Sequence, residues 1–167
     1  MWNFTGPQII ERGIEKSIDV VMKLGHCSRD AALEKLGTEN IMKDICSKYE
    51  SIGDILEYGN ITEKEAVILC NQIINESISE NDNEILEAMY HAIFIGIVNR
   101  KIIDKLDVNT IVKMLDKFNE EVSDYIVTIL AYTGKKEYAE TIKQIGQRFE
   151  NIDIDDALIE LNAMDRQ

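Results

Sequence analysis

The residues of this chain best suited to chemistry are Glu87 and His91 in EAMYHAIF, where a carboxylate stands one helical turn before an imidazole. Such a pair can touch at i, i+4, and imidazole is the usual acid–base and metal-binding group near neutral pH. The known uses of the pair need more than this. A zinc protease requires HExxH and a di-iron bundle requires Glu-x-x-His, whereas the residue three before His91 is Ala88. His91 is therefore expected as a partly buried structural histidine on a very apolar helix. His26 adjoins Cys27 just after Gly25. A cysteine nucleophile needs its base facing it, and neighbours on an extended chain point apart, so a structural reading is favoured there too.

Asp153, Asp155 and Asp156 in NIDIDDAL resemble the opening of a calcium loop, but the central glycine is missing and Met164 stands at the twelfth position, where glutamate is needed. An acidic helix start that offsets the helix dipole is the simpler account. Cys27, Cys46 and Cys70 are odd in number and without CxxC spacing, which points to reduced thiols and neither a disulfide framework nor a zinc site. No phosphate-binding glycine loop or nucleophile elbow occurs. No catalytic, cofactor-binding or metal-binding residue is assigned on these grounds, and the chain is expected not to be an enzyme.

Charge narrows the partners. Lys and Arg total 18 against 31 Asp and Glu, a formal charge of −13 over 167 residues. Nucleic-acid binding needs a basic stripe to neutralise phosphates, and anionic lipid would be repelled, so neither is expected as a partner. A basic protein would be attracted and its encounter accelerated. Simple solubility is the plain alternative. The N-terminus lacks a basic start followed by an apolar run, and no apolar stretch reaches spanning length, so a cytoplasmic location is expected.

The elements that must position these residues read as helices throughout. One proline, Pro7, and nine glycines are too few turn signals for a sandwich or barrel. Pro7 begins a first helix carrying Ile10, Ile14, Ile18 and Val21. RDAALEKL after Ser28 makes a second that stops at Gly37, and ENIMKDICSKYE after Thr38 a third. Ser51 to Gly59 reads as a further short turn or helix. Thr62 and Glu65 have capping-box spacing, and Ala66, Leu69, Cys70, Ile73 and Ile74 mark a buried face.

Asn81 and Glu84 have similar spacing before a helix with Leu86, Met89, Tyr90, Ile93, Phe94 and Ile97 on its stripe. Its AIFIGIV portion is apolar on nearly every side, as expected of a central helix covered on both flanks, with Gly96 permitting close packing. Val108, Ile111, Val112 and Leu115 mark the next helix, and Val122, Tyr125, Ile126, Ile129 and Leu130 another that ends at Gly134. Tyr138, Ile142, Ile145 and Phe149 follow. Asp153 caps a last helix burying Ile154, Ala157, Leu158 and Leu161. Short connections predict that sequential neighbours pack antiparallel, and no linker divides the chain, so residues 1–167 are expected to form a single all-α domain of about eight or nine helices.

Shifted by forty residues, Ile85, Leu86, Met89 and Tyr90 fall on Tyr125, Ile126, Ile129 and Leu130. A period of about 40 residues per helix pair is that of HEAT and armadillo solenoids. Over residues 62 to 165 the chain resembles an irregular HEAT-like stack, in segments such as SDYIVTILAYTGKKEYAETI and IDIDDALIEL. In overall character it is also similar to the small acidic all-helical immunity proteins of bacterial toxin systems, including contact-dependent growth inhibition. That resemblance implies a specific neutraliser of one cognate toxin, often a nuclease.

Acidic residues gather at helix starts: Glu80, Asp82, Glu84 and Glu87; Glu120, Glu121 and Asp124; and Glu150, Asp153, Asp155, Asp156 and Glu160. In stacked helix pairs, equivalent starts fall along one edge, and the first two clusters would make a strip fit to cover a nuclease's basic groove. Dipole-compensating charge on a solvated edge is the alternative. Tyr132 is expected at this surface, while Tyr90, Tyr125 and Tyr138 are expected in the core. The candidate protein-binding residues are thus Glu80, Asp82, Glu84, Glu87, Glu120, Glu121, Asp124, Tyr132, Asp153, Asp155 and Asp156. An adaptor that recognises peptides between helix pairs is the competing function.

Overall fold

A computed structural model describes residues 38–164, with side chains from 43 to 163. The two helices expected before Gly37, with His26 and Cys27, lie outside the described residues. Within these limits the protein is all-helical, with seven α-helices and three single-turn 3-10 helices. No helix among the described residues is long and apolar enough to cross a membrane.

The first of them, α1 (Thr38–Tyr58), corrects the sequence reading. What read as a helix followed by a separate short segment is one helix of 21 residues. Ser51 does not break it, because its hydroxyl bonds back to the Ser47 carbonyl one turn earlier (2.8 Å). Gly53 is buried, facing Ala92 of a neighbouring helix. Next, α2 (Glu63–Ser77) begins at the predicted capping box: Thr62 Oγ1 accepts from Glu65 N (3.3 Å) and Glu65 Oε2 from Thr62 N (2.8 Å). All five predicted buried residues of α2 are buried.

In α3 (Asn83–Arg100) the cap is one residue later than the spacing suggested. Asp82 Oδ1 accepts from Glu84 N (3.0 Å) and Ile85 N (3.2 Å), while the Asn81 amide bonds to the Ser79 carbonyl instead. The helix ends on Lys101, whose positive φ of 53° is a left-handed C-cap on a residue other than glycine. The stripe expected near Val108 is only partly an α-helix. It forms α4 (Val108–Val112), then a turn and a 3-10 turn, Leu115–Lys117. Asn119 caps α5 (Glu120–Tyr132) by accepting from Val122 N (3.1 Å), and α6 (Ala139–Arg148) and α7 (Ile154–Met164) complete the order. Of α7's predicted core residues, Ala157 and Leu161 are buried and Ile154 and Leu158 half-buried.

One contiguous apolar cluster runs from Tyr49 to Leu161, with α3 in the middle: it packs on α1, α2 and α5. The antiparallel expectation holds for α2 and α3, where Ser77 Oγ lies 3.3 Å from Tyr90 Oη and Cys70 packs at Gly96. The most extensive packing, however, joins two helices two apart in order, α1 with α3; α5 with α7 and α3 with α5 also pack across an intervening helix, on a par with α2 and α3. Along α1 and α3, Gly53 faces Ala92, Leu56 faces Gly96, and Gly59 receives Arg100, so both helices run the same way. Tyr90 meets Phe118 and Phe94 meets Tyr132, which sets α5 parallel to α3 as well.

Three cations tie these helices together by donating to the carbonyls that end earlier helical segments. Arg100 donates to Leu56 O (2.5 Å) and Gly59 O (2.7 Å) at the end of α1. Lys117 Nζ donates to Ser77 O (2.7 Å), Ile78 O (3.1 Å) and Glu80 O (2.6 Å) after α2. Arg148 donates to Leu115 O (2.8 Å), Asp116 O (3.2 Å) and Phe118 O (3.0 Å) before α5. Final-turn carbonyls have no intrahelical donor and carry the negative end of the dipole, so a cation both satisfies and neutralises them. Between α1 and α2 the link is a side chain: Glu76 accepts from Tyr49 (2.8 Å), Lys48 (3.3 Å) and Gln72 (2.8 Å). Burial alone would push the Glu76 carboxyl up, but these three donors outweigh it and hold it below its ordinary range.

At Gly96, α3 packs tightly against Cys70 of α2 and Leu56 of α1. A Cβ there would stand 2.7 Å from Cys70 Sγ and 3.3 Å from Leu56 Cδ1. Gly96→Ala should therefore lower stability by about 1–3 kcal/mol in urea unfolding. Combined with Cys70→Ala, which removes the obstructing sulfur, the loss should be smaller than the two single losses added together; simple additivity would show that this contact is not the cause.

Candidate protein-binding surface

Because α1, α3 and α5 lie side by side and parallel, each shows one outward row. On α3 the row reads Glu84, Glu87, His91, Phe94 and Val98, three or four residues apart. On α5 it reads Glu121, Asp124, Tyr125, Thr128 and Tyr132, and on α1 Cys46, Glu50 and Asp54.

One residue from each of the first two predicted acidic clusters, Glu87 and Asp124, lies near Tyr125. That phenol is pushed up by burial and then by Glu87 from α3 and Asp124 from α5. Cys46 links the same face to α1: its thiol is pushed up by burial and then by Glu84, Asp82, Glu50 and Glu87. A thiol among carboxylates stays protonated and is a poor nucleophile, and Cys70, pushed up to about 12 by burial, is poorer still.

The individual positions differ in what they offer. Glu84, Glu87, Glu121 and Asp124 are exposed, and Glu120 is half-buried in the first turn of α5. None of these five forms an ion pair among the described residues. Asp82 is occupied as the α3 cap, and the Glu80 carboxylate accepts from Asn81 N (2.7 Å) and Asp82 N (2.9 Å), closing its own turn. In the third cluster, Glu150, Asp153 and Asp155 line a shallow, solvent-open depression with Asn151, Ile152 and Ile154. There Asp153 Oδ1 accepts from Asp155 N (3.0 Å), and Asp155 and Asp156 stand exposed in the first turn of α7.

Three aromatic expectations need correction. His91 is exposed, its ring centroid 5.7 Å from that of Tyr125, and not a partly buried structural residue. Tyr125 is half-buried on the outer row; the core stripe of α5 is carried by Val122, Ile126, Ile129 and Leu130. The apolar middle of α3 is not covered on every side either, since Phe94 and Ile95 are half-buried and Val98 is 40% exposed. Tyr132 is half-buried, with its ring 6.4 Å from Phe94, and Phe94 lies 6.1 Å from Tyr125. Tyr90 and Tyr138 are in the core as expected.

His91, Phe94 and Glu50 are the surface residues that sequence reasoning missed. The signal for the first two was the Glu84–Glu87–His91–Phe94–Val98 spacing, which puts them on one helical row with the acidic residues. The surface as a whole is a run of His91, Phe94, Tyr125 and Tyr132 rings bordered by carboxylates, a composition suited to holding a cationic, partly apolar protein surface. No family model, curated protein or solved structure matches the chain.

Proposed function

We propose that this protein binds and neutralises a basic cognate toxin, in the manner of an immunity protein, by laying the outer face of α3 and α5 over the toxin's cationic groove. The observation that carries the reading is the nearness of Glu87 and Asp124 to the Tyr125 ring, beside the rings of His91 and Phe94, on a face where neither carboxylate pairs with a cation among the described residues. Unpaired carboxylates steer a basic partner and orient it, and rings at the centre supply contact area that excludes water. A nuclease is the favoured target, because it must carry the Lys and Arg residues that hold phosphates. On this reading the chain works in the cytoplasm, as a binder and not an enzyme.

The parallel packing of α1, α3 and α5, with α2 and α4 between them in the chain, supports a stack of irregular HEAT-like helix pairs within one domain. Such a stack presents the starts of α3 and α5 at one end, which is how charges forty residues apart come to share a face.

The test is capture of partners from source lysate on the immobilised protein at moderate salt, followed by activity assays of what binds. One basic protein with nuclease activity, silenced when the chain is added, is the expected result. Replacing Glu87 and Asp124 together by lysine should then weaken binding at least about tenfold at low salt, mainly through a slower association rate. Unchanged affinity would remove these residues from the interface. A captured nuclease that stays active while bound would end the neutralisation reading.

A further inference from the structure

We infer that this face is built to seat arginine side chains of the partner, with a guanidinium lying against the Tyr125 and Phe94 rings between Glu87 and Asp124. The inference rests on the proposed role of the face as a protein-binding surface.

The argument starts from what the rings leave open. Tyr125 and Phe94, 6.1 Å apart and tilted by 50°, are both half-buried, so part of each ring stays open to solvent, with the His91 ring 5.7 Å from Tyr125 as a further neighbour. Tyr132 extends the same wall, with its ring perpendicular to Phe94 at 81°. Aromatic faces carry partial negative charge and attract a cation placed over them. Glu87 comes from α3, one turn before His91, and Asp124 adjoins Tyr125 on α5, so carboxylates border the rings from both helices. No described lysine or arginine pairs with either carboxylate.

Arginine fits this combination better than lysine. Its guanidinium is planar and weakly hydrated, so it stacks on a ring while its edge donates two parallel hydrogen bonds to a carboxylate. An ammonium is a compact, strongly hydrated charge that gains little from the rings. The partner is therefore a protein whose contact surface is rich in arginine, which matches a phosphate-binding groove. Nucleic acid and anionic membrane carry the wrong charge for this face.

The test uses two synthetic peptides of equal length and charge, one with only arginine and one with only lysine as basic residues, titrated calorimetrically against the full chain. The arginine peptide should bind roughly tenfold tighter, the difference expected from stacking a cation on aromatic rings. Tyr125→Leu, which keeps apolar bulk and removes the ring, should bring the two affinities together, while Tyr125→Phe should retain the preference and serve as the folding control. Glu87→Gln with Asp124→Asn should weaken both peptides. Equal binding by the unaltered protein, or a preference that survives Tyr125→Leu, overturns the arginine seat and leaves the acidic-face reading standing. Binding of neither peptide also overturns it, and capture of a folded basic protein then decides the broader reading separately.

Discussion

Phe118→Ala should lower the unfolding free energy by about 3–5 kcal/mol, the range for removing a fully buried aromatic ring. Phe118 is 1% exposed and meets Tyr90 edge-on, with centroids 5.1 Å apart and planes at 70°. It lies in the segment that links the 3-10 turn Leu115–Lys117 to α5, so its ring joins that segment to the centre of α3. The residue is also held on both sides. Lys117 before it clamps the end of α2, and the Phe118 carbonyl accepts from Arg148 at the end of α6 (3.0 Å). Losing the ring leaves a cavity where those elements meet, and carbonyl clamps on either side limit how far the chain can collapse into it. Phe118→Leu keeps much of the volume and should cost clearly less. Urea unfolding measures both, and a Phe118→Ala loss below about 1 kcal/mol, the ordinary value for a point mutation, would show that the site relaxes freely.

The second large effect belongs to Arg100. Replacing it by leucine should cost about 2–3 kcal/mol, because charge-assisted hydrogen bonds to half-buried carbonyls are lost and those carbonyls are left short of donors. The Leu56 and Gly59 carbonyls end α1, and Arg100 reaches them from the last turn of α3, 41 and 44 residues on. The damage should be local as well as global. Amide hydrogen exchange should accelerate first in the final turns of α1 and α3, while α5 and α7 keep their protection. Arg100→Lys should recover only part of the loss, since one ammonium does not reproduce a planar fork that serves separate carbonyls. Full recovery by lysine would mean that charge at the helix end, and not the hydrogen-bond geometry, is what matters.

The sequence was most legible where a local rule decides. The Thr62–Glu65 capping box and the buried stripe of α2 follow from spacing within one helix. So does the close-packing role of Gly96, since a glycine inside a strong apolar pattern has few other reasons to be there. Three of the four residue pairs aligned by the forty-residue shift are buried at both positions; the exception is Ile85 with Tyr125, whose ring stands on the outer row.

Local rules failed where two helices meet. Ser51 to Gly59 read as a further short turn or helix, yet α1 runs on through it to Tyr58, with the Ser51 hydroxyl satisfied within the helix and Gly53 lying where α3 packs. His91 read as buried because its own helix is apolar. Its exposure depends on which side of α3 the neighbours occupy, and the one local sign of it was the spacing that sets His91 on the same row as Glu84 and Glu87. The clamps of Arg100, Lys117 and Arg148 were equally hidden, because their acceptors are main-chain carbonyls 30 to 45 residues earlier, which carry no residue-type signature.

By itself, then, the sequence determined that the described residues are all-helical, most of their core, several of their helix starts and the chain's strong negative charge, since propensity, periodicity, capping and composition all act within a few turns of chain. Only the tertiary structure decided that α1, α3 and α5 run parallel, that Glu87 and Asp124 both lie near Tyr125, and that the rings of His91 and Phe94 join them. Those facts depend on how helices pack across forty residues, where the stabilising contacts are dispersion, burial and cation-to-carbonyl bonds between segments.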